Sequence, residues 1–230
     1  MKPLNTNGAS LIARRVAAVC ARLRKAAERA GRDASAIRLV AVTKLFPASV
    51  VREAYALGLR EFGENYVQEF EAKAPELADL AEARFHLIGH LQSNKARRAA
   101  GLFHAIDAVD SPKLAHRLQE AVTRSLDVKI EVKLSEEESK HGAPPEQLPE
   151  LIAAIRECSR LRLTGLLTMP PWADDPEQSR PYFRRLRELA GRYGLPELSM
   201  GMSHDLEVAV EEGATEVRIG TALFGERMRA

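Results

Sequence analysis

Residues 37–43 read IRLVAVT, and Lys44 follows at once. A near-continuous apolar run rich in β-branched residues describes a strand buried on both faces, which is the condition of a parallel sheet covered by helices. Upstream, Ser10 caps a helix predicted to run through Ala30, with Gly31 as its stop signal. Downstream, residues 47–57 carry helical periodicity up to Gly58. The same alternation repeats along the chain. Further strands are predicted at 60–63, 84–89, 102–107, 128–134, 161–169, 197–202 and 216–220. Helices are predicted at 64–73, 93–100, from the Ser111-Pro112 cap onward, and at 145–159, 176–193 and 204–212. Eight strands in strict β-then-α order imply parallel pairing with right-handed crossovers. The fold class read from this is α/β, a (β/α)8 TIM-type barrel with an extra N-terminal helix; an open doubly wound sheet is the alternative. The helix after strand eight would be very short.

In such a barrel the chemistry sits at the C-terminal ends of the strands. Strand one ends in Thr43-Lys44, strand two in Gly63-Glu64-Asn65, strand three in residues 89–95, strand seven in Gly201-Met202-Ser203 and strand eight in Arg218-Ile219-Gly220-Thr221. Val40, Val42 and Lys44 share one strand face by the two-residue period, so an amine is carried at the lip of an apolar wall. Desolvation there lowers a lysine pKa, and the neutral amine is the form that attacks an aldehyde to give a Schiff base. The plainer reading is a lysine that reaches solvent or pairs with Glu64. Gly220, Thr221 and Ser203 offer amides and hydroxyls where barrels often bind phosphate, though each can equally be a cap or turn. Arg218 points the same way as Gly220. An inward arginine needs a planar or anionic acceptor, and its plain alternative is an ion pair with Glu216.

The chain has 230 residues, 45% hydrophobic and 29% charged, with 34 Lys+Arg against 32 Asp+Glu. That composition is globular, and a net charge of +2 argues against a nucleic-acid surface. The basic run Lys95-Ala96-Arg97-Arg98 follows a strand-end loop and could attract an anionic ligand. Cys20 and Cys158 lack metal or redox spacing and read as reduced structural thiols. His86 and His90 straddle a strand end and should diverge, while His104, His116 and His141 look isolated, so no metal site is expected. No stretch approaches the roughly 20 apolar residues of a membrane span. The polar start, Met1 to Gly8, is unlike a signal peptide. A cytoplasmic protein is expected.

The segments AVTK (41–44), GENYVQE (63–69), FHLIGHLQSNK (85–95), SKHG (139–142), SMGMSHD (199–205) and VRIGTALFG (217–225) resemble the pyridoxal-phosphate homeostasis family, single-domain relatives of the alanine racemase barrel. The resemblance spans nearly the whole chain in order and spacing. It implies one barrel domain over 1–230 that holds pyridoxal 5′-phosphate (PLP) on Lys44 as a Schiff base, with Arg218 facing the pyridine nitrogen. Ser203, Gly220 and Thr221 would hold the phosphate and Ile219 would add backbone contact. Asn65 would lie at the ring's substituent edge, Met200 beside the cofactor, and His90 with Ser93-Asn94-Lys95 at the mouth. Leu45-Phe46 and His204 read as variants within the pattern, and His204 is expected to face solvent. The implied role is storage and delivery of PLP, with no catalytic residue, apo-enzymes as recipients and a monomer favoured because the site is complete in one chain. Five residues follow Gly225, so no second domain is expected. The alternatives are a weak PLP-dependent racemase, needing a base such as His90, Tyr66 or His204, a Schiff-base aldolase, and a scaffold protein.

Overall fold

The computed structural model describes residues 10–137 and 141–226. Met1 to Gly8, and Ser139 and Lys140 of the SKHG segment, lie outside them. Eight parallel strands close in sequence order: β1 (Arg38–Val42), β2 (Glu61–Glu64), β3 (Arg84–Leu87), β4 (Ala105–Val109), β5 (Leu126–Glu131), β6 (Leu161–Leu167), β7 (Glu197–Ser199) and β8 (Glu216–Ile219). Closure comes from β1 on β8, where Val40 pairs with Arg218. The open-sheet alternative is thereby excluded.

Helix α1 (Leu11–Arg29) precedes the barrel, capped as expected by Ser10, whose hydroxyl accepts from the Ala13 amide at 3.1 Å. Around the strands lie α2 (Ala48–Ala56), α3 (Val67–Lys73), α4 (Ala96–Leu102), α5 (Pro112–Ala121), α6 (Leu148–Glu157), α7 (Arg180–Tyr193) and α8 (Leu206–Glu211), with a one-turn α9 (Thr221–Phe224) last. Two boundaries differ from the sequence reading in ways that matter. Helix α3 begins at Val67 rather than at residue 64, because Glu64 completes β2; Asn65 and Tyr66 are thereby left in a loop. Helix α4 runs through Leu102, which moves β4 to start at Ala105. Among the described residues no helix is long and apolar enough to cross a membrane.

The outward side chains of the strands, among them Ala41, Phe62, Leu87, Ile106, Val128, Ile130, Leu198 and Val217, build the apolar core beneath the helices. The inward face of β1 is apolar at Val40 and Val42, as its two-residue period implied. Elsewhere the inward face is ionic. Lys129, 2% exposed, reaches Asp107 at 3.0 Å and Glu197 and Glu216 at 3.3 Å each. His86 lies between Glu61 at 2.6 Å and Asp107 at 2.8 Å. The histidine, Asp107 and Glu216 form a ligand-type cluster that spacing alone did not suggest. Its charges are already balanced from within, by the Lys129 ammonium on both carboxylates.

Burial alone would push His86 down; Asp107 and Glu61 outweigh it and raise the imidazole to about 9. Between about pH 6.5 and 9 the folded chain therefore binds a proton that the unfolded chain releases, and stability falls as pH rises. The contribution is complete below about pH 6.5 and lost as pH rises through about 9, with an upper size of about 3 kcal/mol for a shift of this order. Urea unfolding at a series of pH values should show this decline, and His86→Gln should flatten it. A parallel profile in the variant would mean that His86 is not the proton carried.

Candidate functional site

The C-terminal ends of the strands surround a cavity of about 500 Å³, within the range of small-ligand pockets. Lys44, Asn65, Ser203, Arg218, Gly220 and Thr221 all line it. Six of the residues singled out from the sequence, drawn from β1, β2, β7 and β8 ends, are thus brought together by barrel closure.

Lys44 sits one residue past Thr43 at the end of β1 and is half-buried. Its alternative partner, Glu64, is fully buried and engaged elsewhere: its Oε1 accepts from Thr43 Oγ1 at 2.7 Å and from Lys73 Nζ at 2.8 Å. Burial raises the Glu64 carboxyl, and the Lys73 ammonium acts against that.

Arg218 is 3% exposed. Its guanidinium donates to Ser199 Oγ at 2.8 Å and to the Thr168 carbonyl at 2.9 Å. Among the described residues no carboxylate lies within ion-pair distance of it; the expected Glu216 is turned to Lys129 at 3.3 Å and Arg38 at 3.4 Å. Burial lowers the guanidinium pKa from a value so high that the charge remains. A buried cation held by neutral acceptors is an invitation to an electron-rich or anionic ligand.

The opposite end of the cavity is built from the loops after β7 and β8. Ser203 Oγ accepts the Ala222 amide at 3.1 Å, tying the two loops together. Asp205 secures the first of them, accepting the Met202 amide at 2.7 Å and the Ser179 hydroxyl at 2.9 Å. Gly201, at φ +90°, makes the turn possible, since a Cβ there would stand 2.4 Å from that of Ala209. The hydroxyls of Ser203 and Thr221 and the start of α9 then face one corner.

Some expectations are corrected. Met200 and Ile219 are fully buried in the apolar core between barrel and helices, because the inward positions beside them belong to Ser199 and Arg218. Neither side chain lines the cavity, and the backbone contact expected of Ile219 does not depend on its side chain. Ser93 and Asn94 line a separate groove with Arg97, Lys113 and Arg117. Tyr66 is exposed and is not part of the wall. His141 is not isolated: its ring stacks on His90 at 4.1 Å, and His90 Nδ1 lies 3.2 Å from Asp110. His204 is exposed as expected, stacked on Trp172 at 5.5 Å, with Nε2 3.0 Å from the Asp174 carbonyl. Glu131, His141 and Trp172 line the cavity and were not anticipated. A signal for Glu131 existed in the charged residues that alternate with Val128, Ile130 and Val132 along β5.

The donor set is one amine at the rim, one buried guanidinium bonded to neutral acceptors, and a corner of hydroxyls and amides. It fits a planar ligand carrying an electrophilic carbon and an anionic tail. Gly89 packs against the loop that presents Asn65: a Cβ at Gly89 would stand 2.5 Å from the Asn65 carbonyl oxygen and 2.8 Å from its Cα. Gly89→Ala should destabilise the fold by about 1–3 kcal/mol through this overpacking, read as a lower denaturant midpoint at unchanged slope. An unaltered midpoint would mean that the Asn65 loop yields freely.

Comparison with known proteins agrees with this geometry. The family model described as alanine racemase, N-terminal domain, matches residues 15–228. A pyridoxal phosphate homeostasis protein of Pseudomonas aeruginosa is 50% identical over 223 residues, covering 95% of this chain and 96% of the relative. One from Aquifex aeolicus is 46% identical over 222 residues, with 93% and 97% covered. The structure of Synechococcus elongatus PipY with PLP bound is 39% identical at a TM-score of 0.81, covering 93% of this chain and all of that one.

Proposed function

The chain belongs to the pyridoxal phosphate homeostasis protein family, within the alanine racemase N-terminal domain group, and from that premise we propose how its cavity holds PLP and what it does with it. The protein binds PLP and acts in PLP homeostasis. The observation that carries the assignment of roles is the placement in one cavity of Lys44 and of Arg218, whose hydrogen bonds go to neutral acceptors. Lys44 is the covalent anchor. Arg218 faces the pyridine nitrogen. Ser203, Thr221 and the Gly220 backbone hold the phosphate, and Asn65 borders the ring's substituent edge. Ile219 adds backbone contact beside Gly220, while the Met200 side chain, buried in the core, stands behind the cavity wall.

Bound PLP supplies an aldehyde for reversible imine formation and a ring able to withdraw electrons. Arg218 limits the second property. A fixed cation at the ring nitrogen disfavours a second positive charge there, so the ring stays a weak electron sink. Racemisation would also need acid–base groups on both ring faces. His90 is engaged with Asp110 and His141, His204 with Trp172, and Tyr66 lies outside the cavity wall. These arrangements favour a carrier without efficient catalysis, and the same reading makes it a single barrel unit, a monomer of the cytoplasm. Apo-enzymes that require PLP would be its recipients.

Incubation with PLP should give a visible absorbance band that borohydride abolishes, fixing the label to Lys44 in a peptide map. Lys44→Ala should lose both. Exchange of the alanine Cα hydrogen with deuterated solvent, followed by NMR, should not exceed that caused by free PLP. Exchange that scales with protein and disappears in His90→Ala would instead establish the weak racemase.

A further inference from the structure

We propose that Glu69 and Lys73 are positioning residues for Lys44: together with Glu64 they clamp the peptide groups on both sides of it and hold Leu45 in a left-handed conformation that aims the amine into the cavity. This rests on the reading of Lys44 as the PLP anchor.

Lys73, 7% exposed on the last turn of α3, donates to the Thr43 carbonyl at 3.1 Å, Glu64 Oε1 at 2.8 Å and Glu69 Oε1 at 3.0 Å. Three donors meet three acceptors, so the ammonium is fully satisfied. The residue before Lys44 is thus held twice, by its carbonyl on Lys73 and by its hydroxyl on Glu64 at 2.7 Å. The residue after it is held by the Leu45 amide, which donates to Glu69 Oε1 at 2.6 Å.

Leu45 has φ +65°, and among the described residues it is the non-glycine with positive φ. That region is disfavoured for a side chain of this size. Packing does not impose it, because Leu45 is 60% exposed. Leu45 is the third residue of a turn closed by the Phe46 amide, which donates to the Thr43 carbonyl at 3.1 Å, and that turn is held from outside by the Leu45 amide on Glu69. Release of that bond would let Leu45 relax, rotate the peptide between Lys44 and Leu45, and swing the Lys44 stem. Strain that the surroundings over-determine, located beside the reactive residue, is the pattern of a preorganised site. A plain tether of α3 to the barrel would need no strained residue next to the anchor.

The test compares the wild type, Lys44→Ala, Glu69→Ala, Glu69→Gln, Leu45→Gly and the Glu69→Ala/Leu45→Gly double variant. Each is measured for apo-protein melting, for the rate at which the visible band appears with PLP, and for the rate of PLP loss after gel filtration. Glu69→Ala should lose PLP about tenfold faster, the scale of one lost preorganising contact, with melting little changed. Glu69→Gln should stay near wild type, because its amide oxygen still accepts from Leu45. Glycine adopts φ +65° without strain, so the double variant should recover part of the loss. A Glu69→Ala protein that retains PLP like the wild type, or a double variant no better than the single, overturns the proposal. A wild type with no Lys44-dependent band overturns the underlying assignment instead, and the clamp with it.

Discussion

The Lys129 ammonium stands in the middle of the barrel, within 3.3 Å of carboxylates from β4, β7 and β8. Unpaired, it could not stay charged at this depth; paired with Asp107, Glu197 and Glu216, it cross-braces three strands through the interior. Burial works against its charge, and those three neighbours raise its pKa despite that. Asp107 in turn is held well below the usual carboxylate range by Lys129 and His86, although its own burial acts the other way. The lower half of the barrel is therefore closed by matched charges rather than by stacked aliphatic side chains. This arrangement decides what the upper half can be. Glu216 and Arg218 lie two residues apart on β8, one layer apart in the barrel, and Glu216 faces down into the Lys129 cluster. Arg218, one layer up, donates to Ser199 and to the Thr168 carbonyl past the end of β6. The ionic floor engages Asp107 and Glu216, and the guanidinium faces a cavity that Glu131 also lines.

The parts of the fold that could be read from sequence were those set by local pattern: the β-then-α order, the Ser10 cap, and the strand ends that gather Lys44, Asn65, Ser203, Arg218, Gly220 and Thr221. What escaped depends on which way a side chain faces after a strand ends, or on pairing across the barrel. Met200 directly follows the inward Ser199, so the two-residue period turns it outward, and the three-residue length of β7 gave too short a run to fix its phase. His141 has no near partner in sequence, and its stack on His90 joins residues about fifty positions apart. The charged interior had a visible trace in the alternation of Val128, Ile130 and Val132 with Lys129, Glu131 and Lys133. That alternation reads naturally as a solvated outer face, and it takes closure with helices on the outside to invert it.

The same logic separates a holder of PLP from an enzyme that exploits it. Tight handling needs an anchor, a charge match and a phosphate corner, all of which barrel strands can supply from one chain. Catalysis at an amino-acid Cα needs more, namely groups free to take and return protons on opposite faces of a ring that withdraws electrons strongly. Under the roles proposed above, His204 is tied to the Asp174 carbonyl, His90 Nδ1 lies 3.2 Å from Asp110, and the group assigned to the ring nitrogen is a cation. Each choice weakens chemistry without weakening attachment. The loop bridge from Ser203 to Ala222 fits that division, since it fixes the hydroxyl and amide corner of the site through neutral groups. The exposed Trp172–His204 pair lies on the open side of the cavity. A ligand held by one reversible bond and a few hydrogen bonds, with its other side toward that opening, can be retained or passed on by small changes at the anchor. On the proposed reading, control of such a site belongs to the turn that carries Lys44.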